Sequence, residues 1–146
     1  MGLKTYDPAK VIITLGGIPI TGFADGTFVA VTPAGDRFTK KVGADGEVSR
    51  TKSNDNTSRV TITLKQTSLS NTYLNTLKEA DRLLNGGVRP LSITDLSGTT
   101  ILFWPQAWIA SPPDQEFAKE EGDRAWNIDT GQAAQEIIGG HVDTVV

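Results

Sequence analysis

Only one stretch of this 146-residue chain carries a helical period, and that limits its architecture more than any other feature. Leu69, Tyr73, Leu77, Ala80 and Leu84 recur at intervals of four, four, three and four, which puts them on one face of a helix. Ser68 or Ser70 is placed to cap the first turn and Asn85-Gly86-Gly87 to end the last, which predicts a helix over about 70–85. On either side the period is two. Arg59-Val-Thr-Ile-Thr-Leu-Lys65 alternates most cleanly, with Val60, Ile62 and Leu64 turned to a core and Thr61 and Thr63 to a wetter face.

Other strand candidates are VIITL at 11–15 and IPI at 18–20 around a Gly-Gly turn, and TFVAVT at 27–32, which stops at Pro33. Residues 37–42 are expected to extend the sheet with Phe38 buried. LSITD at 91–95 and TILFW at 100–104 flank a hairpin turn, and Pro105 ends or bulges the second of them before QAWIA at 106–110. RAWNID at 124–129 turns Trp126 and Ile128 inward and Asn127 and Asp129 outward. The connections are too short for parallel crossovers. The expected fold is therefore mainly β: one domain over 1–146 of two packed antiparallel sheets, a β-sandwich or partly closed barrel, with one flanking helix. A mobile tail is expected from about 139.

Composition removes several classes of function. There is no cysteine, so disulfides, thiolate catalysis and cysteine-type zinc sites are excluded. A net charge of -3 proposes neither a nucleic acid nor a membrane partner, and no apolar run of 18 residues exists to span a bilayer. The opening MGLKTYDPAK has no apolar core of a secretory signal. The sole histidine, His141, stands in the tail, and the glycines at 16, 17 and 22 lack the spacing of a nucleotide loop. Asp114, Glu116, Glu120, Glu121 and Asp123 have no calcium-loop spacing and read as a solvated or partner-facing run. No catalytic, cofactor or metal site is expected. Trp104, Trp108 and Trp126 lie in apolar strand settings, which favours packing over a sugar- or base-stacking platform.

What stands out instead is KKVGADGEVSRTKSNDNTSRVTITLKQTS at 40–68, whose ends read as strands and whose TKSNDNTS centre has no apolar residue and reads as the tip of a hairpin. Residues 36–67 hold seven basic and four acidic side chains, whereas 114–129 holds six acidic and two basic. One chain thus carries a positive arm and a negative segment, which suits contact between copies as well as simple solvation.

The run FTKKVGADGEVSRTKSNDNTSRVTITLKQTSLSN, together with AWIASPPDQEFAKEEGDRAWNI, resembles the tail tube proteins of contractile-tailed phages, relatives of tailocin and type VI secretion tubes. The similarity covers roughly residues 6–139. It implies a non-enzymatic structural subunit of the virion tail, assembled in the host cytoplasm. Its hexameric rings would stack into a hollow tube that conducts DNA and houses the tape measure protein without binding either specifically. Sheath, tail terminator and baseplate proteins are the further partners it implies, with no cofactor and no membrane. On this resemblance an extended hairpin over about 42–59, including Val42, Asp45, Glu47, Arg50, Lys52, Asn54, Asp55 and Arg59, reaches a neighbouring subunit. Glu47, Ser49, Thr51, Thr61 and Thr63 would face the lumen, and the five carboxylates from Asp114 to Asp123 would form an acidic interface. A DNA conduit should be hydrophilic and neutral to negative, so most of Arg50, Lys52, Arg59 and Lys65 are expected to pair with carboxylates at interfaces, those of Asp114 to Asp123 among them. Other readings are a different tube or baseplate component of a virion or tailocin, or a nucleic-acid- or carbohydrate-binding β module.

Overall fold

A computed structural model describes residues 2–141. A 3-10 turn, Pro8–Lys10, leads into β1 (Val11–Leu15) and β2 (Ile18–Pro19), followed by β3 (Val29–Pro33), β4 (Phe38–Val42), β5 (Val48–Lys52) and β6 (Ser58–Lys65). Helix α1 (Ser70–Leu84) comes next, and β7 (Arg89–Asp95), β8 (Ile101–Ser111), β9 (Asp123–Thr130) and β10 (Gln135–Ile137) complete the order. Among the described residues all strand pairs are antiparallel and no barrel closes: the main sheet runs β2-β1-β7-β8-β9-β6-β3 with β10 also on β8, while β4 and β5 pair only with each other.

The sandwich is one hydrogen-bonded sheet folded back at β8. Leu91 lies opposite Trp104 but Arg89 opposite Ala107, so Pro105 and Gln106 together face a single residue of β7. Proline cannot donate to a ladder, and an extra residue on one strand is the usual accommodation. The bulge shifts the inward phase from Leu102 and Trp104 to Ala107 and Ile109. It also hands the strand from one set of partners to another. Residues 101–104 pair with β7 and residues 101–103 also with β10, whereas residues 107–111 pair with β9 and only Ala107 of them still faces β7. Strands that change sheets through a bulge make the corners of folded sandwiches.

Between the halves lies one core. Ile13 and Leu15, Leu91 and Ile93, Leu102 and Trp104 meet Val60, Ile62 and Leu64, Trp126 and Ile128 in a single apolar cluster. Val60, Ile62 and Leu64 have no exposed surface, as the alternation at 59–65 predicts, and each such burial contributes about 1.5–3 kcal/mol. Trp104 and Trp126 are 1% and 4% exposed, so two of the three indoles are core.

The helix forms where its period predicts it, but a different face is buried. Ser70, Asn71, Leu74 and Leu77 turn inward with Tyr73 beside them, while Leu69 is 85% and Leu84 84% exposed. The cause is local to the first turn. Asn71 donates to the carbonyls of Lys65 (2.9 Å) and Ser68 (3.0 Å) and accepts from Trp126 Nε1 (2.8 Å). That polar anchor fixes the rotation of the helix, and the leucines of its last turn project past the sheet. The N-cap position is Leu69, which makes no side-chain cap; Ser68 Oγ instead accepts from Ser70 N and donates to Thr21 O (2.6 Å). Asn85, at φ 55°, ends the helix as expected.

The expected loose tail does not begin at 139. Gly139 N donates to Thr100 Oγ1 (3.1 Å), Thr99 N to Gly140 O (3.0 Å), and His141 Nε2 lies 3.0 Å from Asp95 Oδ2. Residues 142–146 lie outside the described residues. No helix among those described is long and apolar enough to cross a membrane.

Replacing Asn71 with alanine removes the acceptor of a buried indole N–H. The expected loss is about 1–3 kcal/mol in denaturant unfolding with the slope unchanged; an unaltered midpoint would show that the anchor is dispensable.

Candidate assembly interface

The long hairpin expected from the sequence exists, but its parts lie elsewhere along it. β3 and β6 pair from Val29 opposite Ile62 to Pro33 opposite Ser58, and the same two chain directions resume as β4 and β5, from Phe38 opposite Lys52 to Val42 opposite Val48. Between them is an irregular waist of residues 34–37 and 53–57. The tip is Gly43-Ala44-Asp45-Gly46, where Gly46 N donates to Gly43 O (2.9 Å) and Gly46 takes φ 88°, a conformation glycine tolerates best.

TKSNDNTS is therefore the waist and not the tip. Asn54 and Asp55 stand there, Arg59 belongs to the main sheet, and only Val42, Asp45, Glu47, Arg50 and Lys52 of the expected hairpin set are on the free arm. The waist is pinned. Ser53 N donates to Arg37 O (2.7 Å), Arg37 Nη1 to Asp55 O (3.0 Å), and Arg37 Nη2 to both carboxylate oxygens of Glu136 (2.6 and 2.7 Å). Asn56 is held from both sides, its N–H donating to Gln132 Oε1 (2.8 Å) and its carbonyl accepting from Ala133 N (3.3 Å). Hydrogen bonds from Thr57 hold the Asp55 carboxyl below its ordinary value, so it stays ionised as an acceptor for the turn. Nothing in the sequence pattern marks Glu136 and Gln132 as the clasp, because Glu136 arrives from β10, a strand too short to show a period, and Gln132 from the loop before it.

Beyond the waist every residue of β4 and β5 is exposed. Phe38 is not buried as expected but 44% exposed, because its strand has left the sheet and no core lies beneath it; Arg50 stacks over its ring at 4.2 Å. The register sorts the arm into two faces. Phe38, Lys40 and Val42 lie with Lys52, Arg50 and Val48 on one, and Thr39 and Lys41 with Thr51 and Ser49 on the other.

The wet face of the main sheet is a second surface. Its rows run Thr32-Arg59-Asp129-Trp108, Ala30-Thr61-Asn127-Ser111 and Lys65-Asp123. Thr61 donates to Asn127 Oδ1 (2.9 Å), and Asn127 Nδ2 to Ser111 Oγ (2.9 Å). Arg59 makes a forked pair with Asp129 at 2.8 and 3.2 Å, which raises the guanidinium's already high pKa. Its carboxylate partner thus comes from the same chain and not from residues 114–123. Lys65 stands opposite Asp123, so this face is small, hydroxyl-rich and balanced in charge. Of the residues expected on one lumen wall, Thr61 and Thr63 are here, while Ser49 and Thr51 are on the arm and Glu47 is at its turn.

Asp114, Glu116, Glu120 and Glu121 fall in an exposed strap, residues 112–122, that joins β8 to β9, and Asp123 opens β9. Gln66 and Thr67 hold its end through Gly122 and Glu121. Among the described residues no group of three or more histidine, aspartate or glutamate side chains could hold a metal ion.

A curled sheet with a free two-stranded arm, a polar neutral face and no clustered reactive groups is a shape for assembly. The family model of the bacteriophage PhiTE tail tube protein matches residues 16–139. This chain belongs to that tail tube family. Structural protein ORF10 of Pseudomonas phage KPP10 is 36% identical over 133 residues, covering 86% of this chain and 77% of that protein. Among solved structures, the anti-feeding prophage tube terminating cap has the same fold at a TM-score of 0.60 and 13% identity, covering 94% of this chain and 95% of its own. A chain from the sheath-tube complex of the extracellular contractile injection system PVC matches at 0.60 and 12% identity, over 94% of this chain and 93% of that one. Members of the tail tube family are structural components of the phage tail and not enzymes, and this chain shares that role.

Arg37→Ala should leave the melting of the main sheet nearly unchanged and speed hydrogen exchange of the arm amides about tenfold. Equal protection in the variant would show that the arm does not depend on the Arg37–Glu136 clasp.

Proposed function

We propose that the chain is a single-domain tube subunit whose copies form hexameric rings, and that the rings stack into a hollow tail tube through which phage DNA passes and in which the tape measure protein lies. The face built on β3, β6 and β9 lines the lumen through Thr61 and Thr63, and the arm of β4 and β5 contacts neighbouring subunits. Sheath, terminator and baseplate proteins contact the assembled tube, a reading supported by structural neighbours that include a tube terminating cap, a sheath-tube complex and a sheath/tube terminator.

The observation that carries the lumen assignment is the charge balance of that face. Each lysine or arginine free to contact a phosphate would add affinity and slow passage. Arg59 is neutralised by Asp129, Lys65 stands opposite Asp123, and hydroxyls and amides fill the rows between. The binding-module reading loses its platform, since Trp104 and Trp126 are core and Trp108 is half-buried. The unpaired edge of β3 fits the same proposal, because a neighbouring copy can complete an exposed edge.

Negative-stain electron microscopy of the protein with its tail-initiating partners should show hollow tubes of uniform diameter. In phage carrying Thr61→Lys and Thr63→Lys, tubes should still assemble, but DNA ejection should slow and regain speed as salt rises. If those lysines in assembled tubes react with a bulky reagent confined to the outside, the face is external and the lumen assignment falls.

A further inference from the structure

Among the described residues the arm's apolar and basic face packs against no other part of the chain. Phe38, Val42 and Val48 are exposed on it, and Lys40 stands directly opposite Arg50, a like-charge pair that disfavours the isolated hairpin. Two strands alone are marginal in water. None of Lys40, Arg50 and Lys52 forms an ion pair with a carboxylate among the described residues.

The acidic strap is unmatched in the complementary sense. It carries four carboxylates against Lys119, with Asp123 just beyond it, and none of the five is in an ion pair among the described residues. It also presents Phe117, 76% exposed, with the Arg124 guanidinium 6.0 Å from its ring.

The topology keeps these two surfaces apart within one molecule. The arm leaves the end of β6 at Ser58, and the strap closes against the other end, where Lys65 lies opposite Asp123. An eight-residue strand separates them by about 23 Å, and the arm points further away. Their union therefore requires a second copy, placed head to tail along the β6 direction. Such a contact joins two different patches and propagates from subunit to subunit.

We propose that the Phe38–Val42/Val48–Lys52 face of one subunit docks on the strap of a second copy, with Lys40, Arg50 and Lys52 against Glu116, Glu120 and Glu121. Val42 and Val48 then cover Phe117. This deepens the tube reading and rests on it for the repeated assembly, while naming the surface that receives the arm. Charge complementarity supplies the register, and the exposed aromatic and valines supply the apolar contact area.

The test uses charge exchange and a cross-link. Arg50→Glu with Lys52→Glu, and separately Glu120→Lys with Glu121→Lys, should each cut assembled tube mass at least roughly tenfold. The four changes combined should restore assembly. All four sites are exposed, so circular dichroism should show the subunit fold intact in each variant. Independently, Val48→Cys with Phe117→Cys, in a chain that has no other cysteine, should give on mild oxidation a ladder of covalent oligomers that high salt suppresses. Tubes that form normally in both charge variants, or the absence of a ladder, would overturn the contact. A ladder without tubes would uphold the contact and remove the tube reading.

Discussion

The extra residue at Pro105 and Gln106 is the constraint on which the fold depends. Without it β8 would be one straight strand with partners on two edges, and its inward side chains would keep a single phase. With it, Leu102 and Trp104 serve the half built on β1 and β7, and Ala107 and Ile109 serve the half built on β9 and β6. A one-residue shift exchanges the two faces of a strand, so the bulge lets the same strand point inward on both sides of a corner. The single core between the halves follows.

From that folded sheet the hairpin of β3 and β6 extends beyond the core, and its chemistry changes where the core ends. Over the core, Val60, Ile62 and Leu64 alternate with hydroxyls. Past the waist, apolar and basic residues share a face with nothing beneath it. The clasp of Arg37 and Glu136 stands at the boundary and connects the arm's root to the strand that follows β9. The structure thus sets a body with its own core beside an arm whose residues are all exposed.

Much of the body was legible in the sequence because its signals are local. The period at 59–65, the inward Trp126 and Ile128, the helix stop at Asn85 and the disturbance at Pro105 each follow from neighbouring residues. The misreadings all concern what lies beneath or beside a segment. Phe38 reads as core by its type, yet its strand has no sheet under it. Leu69 and Leu84 fit a helical stripe, yet Asn71 rotates the helix onto Leu74 by bonds to a loop and to Trp126. TKSNDNTS has the composition of a tip, yet Gln132, which holds Asn56, and Arg37, which holds Asp55 and is itself held by Glu136, make its centre a waist.

By itself the sequence determined the class of fold, the single helix, the absence of thiol chemistry and the separation of positive and negative segments, since period and composition are properties of the chain alone. Only the tertiary structure decided that Arg59 is neutralised within its own sheet by Asp129, that Ser49 and Thr51 are absent from the sheet face that Thr61 and Thr63 share, and that arm and strap stand at opposite ends of β6. The physical reason is that pairing register and sheet folding bring together residues whose separation in sequence carries no local energetic signal.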